Sequence, residues 1–490
     1  MRDATLSMSA IPAAGAGAVN PRTTRLLEGP IVPTLLKLAA PQLVVLLVQS
    51  SIGLIEAYWV GKLGTDAQAG VALVFPALML MQMMSGGAMG GGISSAIARA
   101  IGAKRNADAN ALVIHALIIS AALGITFSVI MLTAGRALYT LMGGHGATLE
   151  AALTYSNLLF AGIVLLWIFN ALASVLRGTG NLALPAKVVT AGAVLVIPLS
   201  PLLIFGWGPF PRWGVAGGAT AVLLYYAGAI PFLAHAVWSG RNVVQPSFRK
   251  TRIQWPLLYE ILRVGLVAAA ITVTTNLTVA LTTGIVGRAG SQAIAGYGIG
   301  SRLEYLLIPI AFSLGAPLVA MVGTCMGAGK PARALRAAWT GAAIAGTVAG
   351  LIGLFAALFP AGWMSLFSAD PVVIASGSQY LRIVGPFYGF FGAGMVLYFS
   401  SQGAGRMTWP LVAGLSRLTV AGAGGWLAFY WTQDVGAVFA ALALALVVFG
   451  TVLGGAINLG AWGEGLADRR AELRASNQRG QARIVHNKCG

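Results

Sequence analysis

The chain has 490 residues, 57% of them hydrophobic and only 9% charged, with a mean hydropathy of +0.82. This excludes a water-soluble globular protein, in which about a quarter of residues are charged; apolar runs long enough to cross a hydrocarbon core of about 30 Å as helices recur instead. A net charge of +18 in a soluble chain would point to nucleic acid, but here its placement follows membrane orientation, and no nucleic-acid partner is expected.

In chain order, residues 1–29 carry the small apolar string IPAAGAGAV without a leucine-rich core, followed by the charge-bearing stretch Pro21 to Glu28. They read as a disordered cytoplasmic tail, not a cleaved signal. Helices are expected at about 33–60, 68–97, 110–133, 150–174, 186–207 and 213–238, forming a first six-helix bundle within residues 30–238. Residues 239–256, with Arg241, Arg249, Lys250 and Arg252, read as a basic cytoplasmic linker. A second bundle within 257–462 has helices at about 257–285, 293–323, 336–360, 376–400, 409–431 and 435–462, and residues 463–490 form a polar, Arg-rich cytoplasmic tail. The expected fold class is an all-α polytopic membrane protein with about twelve transmembrane helices in two six-helix bundles.

Thirteen Lys and Arg lie in the even-numbered connections, against four in the odd ones, Lys62, Arg136, Arg212 and Arg288. The positive-inside rule then puts both termini in the cytoplasm. Two cysteines, Cys325 and Cys489, and four scattered histidines offer no disulfide framework, metal site or catalytic cluster. No cofactor and no enzymatic activity are expected.

The sequence repeats itself. At an offset of 226, VGKLGTDAQAG (60–70) lies over VGRAGSQAIAG (286–296), and Lys104 meets Lys330; at 225, LRGTGNLALP (176–185) lies over SQGAGRMTWP (401–410). Separated matches at nearly constant offset indicate a duplicated six-helix unit, hence two bundles related by pseudo-twofold symmetry about the membrane normal, with a cavity between them.

Few polar residues interrupt the spans, and each needs a reason. Glu56, in SSIGLIEAYWVG, places a carboxylate where ionisation costs several kcal/mol unless water or a partner receives it. It reads either as a proton-coupling group or as a carboxylate solvated at the interface. Pro41 in the same span frees a backbone carbonyl and marks a hinge. Gln49 and Ser50, and Thr275 and Asn276 within a polar patch from Thr272 to Thr278, read as cavity contacts or as hydrogen bonds between helices. Tyr305 and Tyr388 are candidates for contact with an organic substrate. Arg302 and Glu304 stand two apart and do not face each other, so Glu304 would pair with Arg382 or Arg263; Glu260 and Arg263 read as an interfacial pair one turn apart. The string SGGAMGGG (85–92) lacks the Lys-Ser/Thr of a phosphate loop and reads as close helix packing or local unwinding beside the cavity.

IEAYWVGKLG after the first span, LRGTGN after the fourth, LSPLLIFGWGPFPRWGVAGGA across the fifth and sixth, YGIGSRLEYLLIP in the eighth and GTCMGAGK after it together resemble the multidrug and toxic compound extrusion (MATE) family, over about residues 30–460. The resemblance implies two lobes and a secondary active multidrug antiporter, exporting small, often cationic organic compounds by alternating access driven by H⁺ or Na⁺. It implies a multi-pass, monomeric protein of the bacterial inner (plasma) membrane, with the lipid bilayer and organic substrates as its partners. Glu56 stands where the family carries an Asp in its first helix. Val196 and Ser200 stand where some members carry an Asn and a second Asp, and FYGFFGAGMVLYF has no carboxylate; one acid among hydroxyls suits H⁺ better than Na⁺. Alternatives are a Na⁺-coupled exporter and a lipid or polysaccharide-precursor flippase of the same superfamily.

Overall fold

Every regular element of the computed structural model is helical among the described residues, which are 20–208, 211–240, 242–249 and 251–463, without the side chains of 47, 49–54 and 57. The first bundle contains α1 (Ile31–Gly61), α2 (Thr65–Gly102, π-helical at Met83–Met89), α3 (Asn106–Leu141), α4 (Gly146–Ala161 and Val164–Gly178, bent by 49°), α5 (Ala183–Phe205) and α6 (Val215–Trp238). The second contains α7 (Trp255–Gly287), α8 (Ser291–Gly327), α9 (Pro331–Leu358), α10 (Pro371–Ala404), α11 (Thr408–Thr432, π-helical at Val420–Gly424) and α12 (Val435–Asn458). Ten of these are long and apolar enough to cross a bilayer; the bent pair of α4 makes an eleventh, and α1 completes twelve.

Local chemistry sets the boundaries. Pro256, Pro331 and Pro371 open α7, α9 and α10, where the missing N–H costs nothing and the fixed φ favours the helix. Gly64 (φ 119°) precedes α2 and its repeat mate Gly290 (φ 108°) precedes α8; both turns need a backbone that other residues rarely adopt. Helices extend a few residues beyond the hydropathic runs, as where α9 starts at Pro331 and not near 336.

The terminal tail departs from expectation. Residues Pro21–Glu28 form a short helix, capped by the Asn20 side chain accepting from Arg22 N–H (3.0 Å). A helix this short does not hold alone in water; docking holds it. Leu26 is buried, Arg333 Nε donates to the Leu26 carbonyl (3.1 Å), and Lys330 pairs with Glu28 (3.5 Å). Residues 1–19 and 464–490 lie outside the described residues. The linker is anchored as well: His115 Nδ1 is 2.8 Å from the Ala111 carbonyl, and its Nε2 accepts from Gln254 N–H (2.8 Å).

The bundles meet where α2 crosses α8, at the basic end bearing the α2–α3 and α8–α9 connections. A Cβ on Gly102 would run into the carbonyl of Thr324, and a Cβ on Gly327 into the carbonyl of Arg99. These are the same contact seen from each repeat, so the pseudo-twofold axis passes through this crossing. Residues 85–102 are buried throughout or nearly so, as are 311–325, whereas 65–84 and 291–310 alternate with exposed positions. The bundles are therefore sealed at the basic end and diverge toward the other.

Candidate functional site

Glu56 lies near the far end of α1, and its carboxylate turns into the first bundle. Tyr155 Oη, from the first segment of α4, donates to Glu56 Oε1 at 2.9 Å. On α6, Gly218 leaves the room: a Cβ there would stand 3.2 Å from the same oxygen. The neighbours are thus a neutral hydroxyl and a bare backbone, with no cation paired to Glu56 among the described residues. Val196 and Ser200 are both buried on α5, and Ser200 Oγ has no partner.

The other carboxylates within spans are paired. Glu304 Oε1 accepts from Arg417 Nη2 at 2.9 Å and Glu304 Oε2 from Tyr380 Oη at 3.1 Å, while Arg417 also sits over the Phe391 ring at 5.0 Å. The expected partners were Arg382 or Arg263, but both are exposed, and the rotation of α11 brings Arg417 inward. Arg302 instead lies over the Phe367 ring at 5.4 Å. Glu260 pairs not with Arg263 but across the bundles with Arg99 (3.3 Å), which also donates to the Gly403 carbonyl (3.2 Å) and to Ser95 Oγ. Ser95 Oγ in turn donates to the Gln402 carbonyl at 2.5 Å.

The remaining sequence candidates divide. Tyr388 is fully buried in the second bundle, its hydroxyl 3.4 Å from that of Tyr380, so it packs a core and does not face the cavity; Tyr305 is exposed. The hydroxyls of Thr272, Thr274, Thr275 and Thr278 and the amide of Asn276 all donate to carbonyls of their own helix, three or four residues back, an alternative open to such side chains in any helix. They neither bridge helices nor converge on a site. Pro41 is half-buried within a continuous α1. The side chains of Gln49 and Ser50 lie outside the described residues.

Tyr155 and Arg417 were not singled out by the sequence. Yet Tyr155 and Tyr380 stand 225 apart, the repeat offset, and each donates to a carboxylate. The duplication kept the tyrosine; the acid moved from α1 to α8 and gained an arginine. At the position matching Glu56, the second repeat has Thr282, buried with its hydroxyl unpartnered. Arg417→Met alone is expected to destabilise the protein by about 2–4 kcal/mol, because it strands a carboxylate only about a fifth exposed, and Arg417→Met with Glu304→Met to restore most of that loss. Thermal unfolding in detergent reads both; equal destabilisation by the single and double variants would refute charge compensation.

Comparison with known proteins agrees with this arrangement. The sequence profile of the MatE family matches residues 41–202 and 268–425, one stretch in each repeat. An FAD transporter of Shewanella oneidensis is 27% identical over 81% of this chain and 87% of its own. A probable multidrug resistance protein NorM of Thermotoga maritima is 24% identical over 77% and 81%. Among solved structures, a MOP superfamily transporter from Pyrococcus furiosus superposes with a TM-score of 0.82 at 26% identity, covering 91% of this chain and 100% of the other. An outward-facing multidrug resistance transporter gives 0.80 at 26%, covering 90% and 98%.

Proposed function

The chain belongs to the MatE family of membrane transporters, and on that premise we propose that it exports small organic compounds in exchange for protons, with Glu56 as the coupling group. The observation that carries this reading is the pairing pattern. Glu260 and Glu304 each hold an arginine, whereas among the described residues Glu56 is hydrogen-bonded by the Tyr155 hydroxyl and paired with no cation. A fixed cation would keep a carboxylate ionised through the cycle. A carboxylate beside a hydroxyl in an apolar bundle can instead take up and release a proton as its solvation changes. Sodium would want several oxygen ligands, and among the described residues the one hydrogen-bonded oxygen at Glu56 is that of Tyr155.

In this reading the basic end faces the cytoplasm of a bacterial inner membrane, both termini lie there, and the protein works as a monomer by alternating access. The test is reconstitution in liposomes with an imposed gradient. A pH gradient alone should drive efflux of a fluorescent organic dye, with no stimulation by Na⁺; transport that runs only on a sodium gradient would overturn the proton assignment. A second reading, export of a flavin dinucleotide, is favoured by the Shewanella oneidensis relative and is separated from the first by substituting that compound for the dye.

A further inference from the structure

In a small pocket of about 10 Å³ where the sealed bundles meet sits a guanidinium that pairs with no carboxylate among the described residues. Arg177, in the last turn of α4, donates through Nη2 to the Gly86 carbonyl (3.3 Å) in the π-helical segment of α2 and to Ser174 Oγ (2.6 Å). It lines the cavity with Gly86, Gly90, Phe312, Phe399 and Gln402. Every acid among the described residues is engaged elsewhere. Glu28, Asp108, Glu150, Glu260 and Glu304 hold other cations; Asp66 accepts from Thr148, Asp370 and Asp434 cap helices, and Glu56 accepts from Tyr155.

The internal duplication supplies a control. Gln402 is the repeat mate of Arg177, and its Nε2 donates to the carbonyls of Gly87 (3.3 Å) and Ala88 (3.2 Å) in the same π-helical segment. A neutral amide therefore suffices to hydrogen-bond carbonyls of the π-helical segment. The charge on Arg177 is surplus to that task. Gln402 Oε1, also in the cavity wall, is buried without a donor.

We propose that Arg177 is an anion subsite of the central cavity: the exported compound carries an acidic group, phosphate or carboxylate, that pairs with Arg177. The compound presents an N–H or O–H to Gln402 Oε1 and a planar ring to Phe312 and Phe399. Gly90 gives the guanidinium room, since a Cβ there would stand 3.2 Å from it; parting of the bundles widens the pocket to admit the compound, and a fork of N–H donors matches the oxygens of either acid. This rests on the exporter reading but not on proton coupling.

The experiment is equilibrium binding to the full-length protein in nanodiscs, with no gradient, so failure of Glu56 as coupling group would leave its result unaffected. Riboflavin and riboflavin 5′-phosphate share one ring and differ by one phosphate; 10-carboxymethylflavin beside its methyl ester supplies the carboxylate arm. Wild type should bind at least one acidic form about tenfold or more tighter than its neutral mate, the arm with the larger gain naming the acid. Arg177→Gln should erase that preference and leave the neutral compound bound as before, and Arg177→Lys should keep a severalfold preference. Equal binding within both pairs by wild type overturns the proposal. So does an Arg177→Gln variant that weakens neutral and acidic forms alike, which would make Arg177 a brace for the π-helix only.

Discussion

Glu56→Gln is expected to lower proton-driven efflux at least about a hundredfold, the scale on which loss of a positioned proton carrier acts at other proton-transfer sites. The amide preserves the size of the side chain and can still meet Tyr155 Oη, which lies 2.9 Å from Glu56 Oε1, but it cannot carry the proton. Glu56→Asp keeps the acid and draws it back by one methylene from Tyr155, so activity should persist within about tenfold, with the net cost of one ordinary hydrogen bond, about 0.5–1.5 kcal/mol, as the upper bound. Tyr155→Phe should fall in the same range. A folded but uncoupled protein still exchanges substrate for substrate; counterflow of labelled compound should therefore survive in Glu56→Gln while pumping is lost. Pumping at the wild-type rate would return Glu56 to the role of an interfacial carboxylate.

The spans and the duplication were readable because hydropathy and a constant offset survive in a linear string. The glycine run from Ser85 to Gly92 announced close packing, and it became the π-helical segment and the inter-bundle contact. Partners between helices were not readable, since they depend on how each helix is rotated. The sequence offered Arg382 and Arg263 as partners for Glu304, and the packing of α11 against α12 brings in Arg417 instead. Tyr388, read as an aromatic substrate contact, and Asn276, read as a polar cavity contact, were both candidates, yet one is core and the other exposed. The helix at Pro21–Glu28 is too short for a periodic signal; it exists because α8 and α9 offer a dock. Arg177 and Gln402 were aligned by the repeat, and their common grip on one segment of α2 gives that alignment its meaning.

Gly102→Ala and Gly327→Ala are expected to open the basic end. Each adds a methyl group where a carbonyl of the opposite bundle already lies, Thr324 for one and Arg99 for the other, and backbone oxygens at a helix crossing cannot rotate away as a flexible side chain can. Overpacking of this kind costs about 1–3 kcal/mol, which shifts the balance between sealed and open states by about tenfold to a hundredfold. Only the sealed state bears the penalty, because the crossing comes apart when the bundles separate. Spin labels on Lys104→Cys and Lys330→Cys, exposed repeat mates on the α2–α3 and α8–α9 connections, report the separation in a background with Cys325→Ser and Cys489→Ser. Their distance distribution should lengthen in either glycine variant, and the double variant should exceed each single by less than their sum, since both act at one crossing. Gly228→Ala, where an added Cβ meets nothing within 4 Å, should leave the distances unchanged. If Gly102→Ala also leaves them unchanged in a monodisperse protein, the crossing of α2 and α8 is not the seal, and the other inter-bundle contacts, the Arg99–Glu260 pair and Gln402 on Gly87 and Ala88 among them, hold the bundles together.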